Sequence, residues 1–235
     1  RNVAQEYQRL LGTPGNHSLE AFELLLRLRQ CSQHPGLVWR GLKKKYGLSD
    51  PDSTLVDLPS SKMLALCQLL SEHPGEPGLV FSPFRQELEM LEMTLRERGY
   101  QVYRLDGSCS GGSRERMLDR MRDWLRENPN QPLVLLLQSR AGGVGLNLQE
   151  FSRVYLMTPD WNPSNDLQAI ARSHRLGQQR RVYVKTLVLR EPTSIDHRIL
   201  QVQRKKSDWM TSLLGEPGKL DRIRKFRFTD SVWSE

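Results

Sequence analysis

The segment Asp166–Gln178 carries two arginines and an amide at a spacing that suits anion binding. Gln168, Arg172 and Arg175 stand at positions i, i+4 and i+7, so a helix would place them on one face. Guanidinium groups are permanently charged and pair well with phosphate oxygens. The spacing indicates a phosphate-binding helix face, but taken alone it fits an ordinary solvent-exposed face equally well.

A second candidate is the glycine-rich segment Gln138–Leu148, which follows the apolar segment Pro132–Leu137. Gly142, Gly143 and Gly145 permit backbone angles that other residues avoid and let peptide N–H groups approach an anion. A tight structural turn would need the same glycines. The preceding strand pattern and the arginine segment that follows favour phosphate binding.

A third candidate is the segment Thr158–Ser164, which leads into the arginine segment. Ser164 or Asn165 is predicted to cap the following helix. Trp161 lies in a turn, where an exposed indole can contact a sugar or a base. Packing of the indole over the edge of the domain is an equally good interpretation.

Composition limits the class of protein. The chain has 235 residues, a net charge of +8 and a pI near 9.6, which favours a polyanion partner such as nucleic acid. No apolar run approaches the roughly 20 residues of a membrane span. Cys31, Cys67 and Cys109 are too far apart for a zinc or disulfide framework, so no metal site is expected in a reducing compartment. Because the chain begins with Arg1 and shows no signal peptide, we expect a piece of a longer protein.

Hydrophobic spacing predicts a helical N-terminal part followed by alternating helices and strands. Residues 1–40 are expected to be helical up to a turn at 34–36, with a basic loop at 43–45 and a linker at 47–59. Predicted helices are 61–71, 84–98, 113–125, 165–175 and 194–214, and predicted strands are 78–82, 101–105, 132–137, 153–157 and 182–189. This alternation indicates an α/β fold whose loops meet at the carboxyl edge of a parallel sheet.

Two elements of a complete nucleotide site are absent from the sequence. It has no Gly-x-x-x-x-Gly-Lys-Ser/Thr phosphate loop and no acidic pair placed to hold Mg²⁺. Arginines at a phosphate-binding edge without a nucleotide cradle suggest half of a composite site, in which arginines enter from a facing domain.

Residues 60–214 resemble the second RecA-like lobe of the Swi/Snf family of DNA-translocating ATPases, in helicase superfamily two. The resemblance rests on ordered segments, similar in turn to motif IV, motif IVa, motif V, a tryptophan segment and motif VI: Leu79–Phe84, Tyr103–Ser108 with Arg116, Arg140–Leu148, Asp160–Pro163 and Gln168–Gln178. Ser194–Leu214 resembles the family's brace helix, and Leu28–Pro35 resembles its lead-in helix.

The resemblance implies roles for particular residues. Arg172 and Arg175 would be arginine fingers on the γ-phosphate of ATP, with Gln168 beside them. Residues expected to line the nucleotide are Gly143, Gly145 and Asn147. Residues expected to grip DNA phosphates are Ser82, Gly107, Ser108, Ser139 and Arg140, and residues expected at the DNA groove are Trp161 and Asn162.

The resemblance also implies a function for the whole protein. We expect a RecA-like three-layer α/β lobe at 60–192, a helical lead-in at 1–59, and a brace helix with a basic tail at 193–235. ATP with Mg²⁺ would bind mainly to a first lobe, and the pair would step along double-stranded DNA, acting on nucleosomes or DNA-bound proteins. Such a protein is not membrane-bound; it is nuclear in a eukaryote and otherwise cytoplasmic. The isolated lobe is expected to be inactive.

The sequence departs from the family pattern at four positions. Ala171 and Thr158 replace aspartate, Pro83 replaces glutamine, and Gln138 replaces serine. These departures keep open a lobe that binds DNA or protein without hydrolysis. A small-molecule enzyme on a Rossmann-type sheet is a third class, but the sequence has no Gly-x-Gly-x-x-Gly after its first strand.

Overall fold

The computed structural model describes residues 18–46, 58–108, 111–139 and 145–214. The helices are α1 (Ser18–Gln33), α2 (Pro35–Tyr46), α3 (Ser61–Ser71), α4 (Arg85–Glu97), α5 (Gly111–Glu127), α6 (Pro163–Ile170) and α7 (Ile195–Leu214). The strands are β1 (Gly78–Ser82), β2 (Gln101–Leu105), β3 (Leu133–Gln138), β4 (Arg153–Leu156) and β5 (Tyr183–Thr186). Across the described ranges, every helix is too short or too polar to cross a lipid bilayer.

The described strands form one parallel sheet in the order β2-β3-β1-β4-β5. Ser82 at the end of β1 lies opposite Gln138 at the end of β3, and Phe81 lies opposite Leu156 at the end of β4. Because these strands end level with one another, the loops that follow them leave the sheet at one edge. This is the edge where open parallel sheets bind ligands.

Apolar side chains fill both faces of the sheet, which gives three layers. The first face carries α3 and α4, with a core that includes Leu66, Val80, Leu88, Leu91 and Leu136. The second face carries α5 and α6, with a core that includes Leu79, Leu118, Met121, Leu135 and Ala169. Side chains in strands buried on both faces are apolar in succession, as Leu133–Leu137 are. The predicted three-layer α/β fold is confirmed.

Most predicted elements are present, and helix α3 and strands β1 and β2 have their predicted bounds. The predicted end of the N-terminal helical part is wrong, because a second helix, α2, begins directly after His34. Proline is well tolerated at the first position of a helix, and the His34 Nδ1 atom accepts the Gly36 N–H at 2.9 Å. The basic run 43–45 therefore belongs to α2 and is not a loop.

Helix α6 is shorter than predicted and is displaced toward the N-terminus. The Asn162 side chain accepts the Ser164 N–H at 3.1 Å, so Asn162 caps the helix, and neither Ser164 nor Asn165 does. The helix ends at Ile170, and beyond it the fully buried Ser173 donates its hydroxyl to the Phe151 carbonyl. The prediction of helix up to Arg175 is therefore wrong.

A buried polar cluster lies at the carboxyl ends of β1 and β4. Lys62 forms a 2.7 Å ion pair with Asp196 and donates to the Met157 carbonyl at 3.0 Å. Thr158, one of the four departures, donates its hydroxyl to Asp196 at 3.1 Å. The departure therefore places a neutral donor beside a buried carboxylate, where the family's aspartate would add a second negative charge.

Among the charged groups of this cluster, Glu87 has the surroundings that least favour its ionised form. Its side chain is fully buried and accepts the Ser82 hydroxyl at 2.5 Å. Burial raises the pKa of Glu87 from 4.5 to about 7, although the Ser82 hydrogen bond and the charge of Lys62 oppose the change. Glu87 therefore takes up a proton on folding at pH values between 4.5 and 7.

Replacing Glu87 by glutamine tests whether burial raises the pKa of this carboxyl group. A carboxyl whose folded pKa is raised favours folding below pH 4.5, and this contribution is lost as the pH rises through 7. The free energy of unfolding of Glu87→Gln relative to wild type should therefore grow between pH 5 and pH 8, by up to about 3 kcal/mol. Urea unfolding of both proteins across this pH range measures it, with exposed Glu97→Gln as the control. A pH-independent difference would contradict the prediction.

Candidate functional site

The predicted nucleotide segment and the predicted arginine segment lie against each other. The Leu148 N–H donates to the Arg172 carbonyl at 3.0 Å. Two glutamines extend the pairing: Gln149 Nε2 donates to the Leu176 carbonyl at 2.5 Å, and Gln178 Nε2 donates to the Gln149 carbonyl at 3.0 Å. Segments 145–150 and 172–178 therefore form one unit at the carboxyl edge of the sheet.

The two arginines differ in burial. Arg175 is exposed, and its Nη1 atom donates to the Gly145 carbonyl at 3.3 Å, so its guanidinium lies at the glycine segment. Arg172 is half-buried, and burial lowers the pKa of its guanidinium, with a smaller contribution from the charge of Arg114. Gln168 is exposed on α6, four residues before Arg172. The three residues follow one another from a helix into a turn and do not share one helix face.

The predicted nucleotide-lining residues lie next to these arginines as far as the structure describes them. Gly145 is exposed with a φ of +45°, a left-handed conformation that glycine adopts at low cost. Asn147 is exposed, and its carbonyl accepts from Arg122 Nη2 at 3.0 Å, which ties the segment to α5. Gly143 and Arg140 lie outside the described residues.

Gly177 allows the arginine segment to pack against the glycine segment. Its φ is +99°, and a Cβ atom there would lie 3.0 Å from the Gln149 amide nitrogen. Any side chain would therefore be strained and would press on the amide that pairs the two segments. The left-handed residue predicted at this position is confirmed, but it closes a turn well beyond the end of α6.

Ser82 does not lie where DNA could reach its side chain. It is fully buried, donates its hydroxyl to Glu87, and accepts the Phe84 N–H at 3.0 Å. The expected grip of Ser82 on a DNA phosphate stays a prediction, but the Ser82 hydroxyl faces inward in this structure. The reason is that Ser82 ends a strand buried on both faces, so its side chain points into the lobe.

Gly107, Ser108 and Ser139 lie at the same edge, and their backbone N–H groups donate to groups within the lobe. Ser108 donates its N–H and its hydroxyl to Asp106, at 2.9 and 2.5 Å. These bonds, with the charges of Arg104 and Arg85, hold the pKa of Asp106 below its ordinary value, although burial opposes them. Gly107 and Ser108 are exposed at the surface, whereas Ser139 is half-buried and donates its N–H to the Ser82 carbonyl at 2.9 Å.

Gln138 links two of the strand-end loops through its carboxamide. Its Oε1 atom accepts the Gly107 N–H at 3.0 Å, and its Nε2 atom donates to the Pro83 carbonyl at 3.4 Å. Pro83 and Gln138 are two of the four departures from the family pattern, and they contact each other across the sheet edge. These two departures therefore belong to one local hydrogen-bonded arrangement.

Trp161 and Asn162 follow β4 at this edge. Trp161 is half-buried, so its indole is neither fully exposed nor fully packed away. Asn162 is exposed, and its side-chain oxygen is used to cap α6. Their shared loop, residues 158–162, is held from several directions by side chains of other helices.

Three residues of this site were not predicted from the sequence. Arg114 is close enough to lower the pKa of Arg172, whereas Arg116, the arginine chosen from the sequence, is exposed and donates to the Gly112 carbonyl at 3.1 Å. Arg122 holds the Asn147 carbonyl, and Gln138 holds Gly107. The helical spacing of Arg114 and Arg122 places both on one face of α5, and this spacing could have suggested them from the sequence. Only the packing of α5 shows which of its arginines face the site.

A parallel α/β lobe with a glycine segment paired to an arginine segment defines a class of protein, the RecA-like motor lobes. A family model described as the helicase conserved C-terminal domain matches residues 61–177, about half of the chain. The matched region covers strands β1 to β4, helices α3 to α6, and the glycine and arginine segments up to Gly177, whereas β5 and α7 lie beyond it.

Individual relatives agree with this class. The chain is 37% identical to DNA repair protein RAD5B of Arabidopsis thaliana, covering 66% of this chain and 12% of the relative. It is 35% identical to the helicase-like transcription factor of Mus musculus, and the match covers 71% of this chain and 17% of that relative. The crystal structure of the C-terminal part of the Fun30 ATPase domain superposes with a TM-score of 0.56 at 29% identity, covering 86% of this chain and 64% of that chain.

The chain therefore belongs to the helicase C-terminal domain family, within the Swi/Snf type of superfamily-two ATPases. It spans between 11% and 18% of the length of the curated relatives that it matches. What it shares with them is thus one lobe.

Replacing Gln138 by leucine tests the carboxamide link. Leucine keeps much of the volume but cannot accept the Gly107 N–H. The amide proton of Gly107 should then exchange with solvent about fivefold faster, the effect of losing a hydrogen bond worth about 1 kcal/mol. NMR-detected hydrogen exchange of the two proteins measures it, and Gln131→Leu, at an exposed residue before β3, is the control. Equal exchange in wild type and Gln138→Leu would show that the link does not protect Gly107.

Proposed function

We propose that this chain is the second motor lobe of an ATP-dependent translocase of double-stranded DNA. In this function Arg172 and Arg175 complete a nucleotide site whose other side belongs to a first lobe. The observation that carries the proposal is the pairing of the arginine segment with the glycine segment, including the Arg175 contact with Gly145. An exposed guanidinium beside a glycine segment fits an anion that arrives from outside the lobe.

The chemistry follows from the charge that develops in phosphoryl transfer. Negative charge spreads over the transferred phosphoryl oxygens, and an arginine placed there stabilises the transition state more than the ground state. Arg172 and Arg175 supply that charge, Gln168 supplies an amide, and Gly145 and Asn147 line the nucleotide. These groups are cationic or neutral, so they suit the γ-phosphate and leave Mg²⁺ to the first lobe. The bound ATP with Mg²⁺ supplies the phosphoryl group and the metal charge.

Lobe closure would connect this chemistry to movement on DNA. When the arginines reach the γ-phosphate, the lobes are held together, and hydrolysis releases them. The strand-end loops at the same sheet edge move with the lobe, so grip on DNA changes with each cycle. Exposed groups proposed for the DNA side are Gly107, Ser108 and Asn162, with Ser139 and Trp161 beside them and Ser82 supporting the loop from inside. Arg140, which lies outside the described residues, is proposed for the DNA side from the sequence alone.

The names of the relatives support DNA as the substrate. They include a DNA repair protein and a helicase-like transcription factor, and a chromodomain-helicase-DNA-binding protein homolog of Caenorhabditis elegans is 32% identical over 82% of this chain. The proposed target on the DNA is a nucleosome or another DNA-bound protein. In a eukaryote the proposed location is the nucleus.

The departures from the family pattern leave the proposed arginines in place. Thr158 makes a buried hydrogen bond to Asp196, and Ala171 is exposed directly before Arg172. Neither change removes a group that would touch nucleotide. A lobe that binds DNA or protein without hydrolysis is the alternative, and a turnover measurement separates the two.

Alanine substitution of each arginine tests the nucleotide role. In the longer protein that joins this lobe to a first lobe, Arg172→Ala and Arg175→Ala should each lower DNA-stimulated kcat by roughly a thousandfold or more. DNA affinity should change little, because the loss affects only the transition state. Arg190→Ala, at an exposed site outside both segments, is the matched control. Near-normal turnover in both variants would exclude the proposed role.

DNA binding by this chain should depend on salt and hardly on sequence. A lobe that neutralises about three phosphates should lose roughly tenfold to a hundredfold in affinity for a short duplex between 50 and 200 mM salt. Duplexes of equal length and unrelated sequence should bind alike, since the proposed contacts are to phosphates and not to base edges. Fluorescence anisotropy measures both. A salt-independent affinity, or a strong preference for one duplex, would count against the proposed DNA edge.

A further inference from the structure

Three successive carbonyl groups of the loop 158–162, called the Trp161 loop, each accept a hydrogen bond from a different side chain. The Pro159 carbonyl accepts from Arg29 Nη2 at 2.9 Å. The next carbonyl, of Asp160, accepts from Gln203 Nε2 at 2.5 Å. The carbonyl of Trp161 accepts from Lys206 Nζ at 3.0 Å. A loop at a sheet edge normally leaves such groups to water, so capture of three in a row fixes its path.

The donors come from two helices that flank the sheet and are far apart in sequence. Arg29 lies on α1, and Gln203 and Lys206 lie on α7, three residues apart and so on one face of that helix. Two of the three donors are cationic, which makes their bonds to carbonyl groups stronger than neutral ones. The Trp161 loop is thus attached to both helices as well as to its own strand.

Asp160 and Asp166 reinforce this attachment. Arg29 lies 3.6 Å from the Asp160 carboxylate, and both side chains are buried. The Asp166 carboxylate accepts the Asp160 N–H at 3.1 Å and Gln203 Nε2 at 2.8 Å. Gln203 therefore joins the loop to the first turn of α6 with one amide group. The loop, α6 and α7 are fixed together at one point.

We infer that Arg29, Gln203 and Lys206 are positioning residues, which hold the Trp161 loop in the orientation that contacts DNA. The inference rests on the proposed function, because the loop matters for DNA only if this edge binds DNA. It adds that the position of the loop is set by α1 and α7 and not by the sheet alone. A shift of either helix would then move Trp161 and Asn162.

Matched pairs of substitutions on α7 separate this role from general surface effects. Gln203→Leu removes the donor to Asp160, and Gln201→Leu makes the same change at an exposed residue on the same helix. Lys206→Met removes the donor to Trp161, and Lys205→Met removes the same charge at its exposed neighbour. These sites are not in the apolar core, so the variants keep the test valid even if Arg29→Ala fails to fold.

The first measurement needs no DNA. Hydrogen exchange of residues 158–165 in this chain should become about three- to tenfold faster in Gln203→Leu and in Lys206→Met. Gln201→Leu and Lys205→Met should leave it unchanged. Equal exchange in all five proteins would overturn the inference, whatever the chain does with DNA.

The second measurement is affinity for a short duplex at several salt concentrations. Gln203→Leu should weaken binding about three- to tenfold relative to Gln201→Leu, with an unchanged salt slope, because no phosphate contact is lost. Lys206→Met should bind more weakly than Lys205→Met and show the same slope as Lys205→Met. If the salt dependence of affinity is weaker in Lys206→Met than in Lys205→Met, Lys206 contacts a phosphate directly. That result would overturn its positioning role.

The two measurements also distinguish this inference from the proposed function. Faster exchange with unchanged affinity in both variants would overturn the positioning role while leaving DNA binding intact. If the wild-type chain binds no duplex at low salt, the proposed DNA edge fails and the positioning role fails with it. The exchange result would still show whether α7 holds the loop.

Discussion

The lobe depends on the hydrogen bond between the backbone of Leu148 and that of Arg172. This bond joins the segment after strand β3 to the segment after α6, which are separate turns of the chain. Gln149 and Gln178 extend the pairing through their amides, and Gly177 permits the close approach because it has no Cβ atom. As a result, residues 145–150 and the arginine segment are held together, as the proposed composite nucleotide site requires.

Polar contacts beneath this edge join the sheet to the helices that flank it. The Lys62–Asp196 ion pair ties α3 to α7, and Arg29 and Gln203 hold the Trp161 loop from α1 and α7. Buried charges are costly unless they are paired. The pKa of Glu87 is raised to about 7, so the negative charge of its ionised form is not fully compensated within this cluster. Such a cluster fixes the relative position of its helices more than it stabilises the lobe.

Three of the four departures from the family pattern have neighbours that sequence spacing does not reveal, whereas nothing in the structure explains Ala171. Pro83 and Gln138 are 55 residues apart, yet the Gln138 amide donates to the Pro83 carbonyl. Thr158 contacts Asp196, which is 38 residues away. Each looked like an isolated loss when compared with the family. In the fold, each of these three residues has a hydrogen-bond partner that is distant in the sequence.

The sequence by itself determined the sheet, the order of its elements and the segments that form the site. A short apolar run such as Leu133–Leu137 is typical of a strand covered on both faces, and the motifs occur in the family's order. Tertiary structure alone decided that α6 ends at Ile170, that Ser82 is buried, and that Arg114 lies near Arg172 while Arg116 does not. Local spacing reports which face a residue prefers, whereas a hydrogen bond such as that from Ser173 to Phe151 joins residues distant in the sequence and cannot be predicted from local spacing.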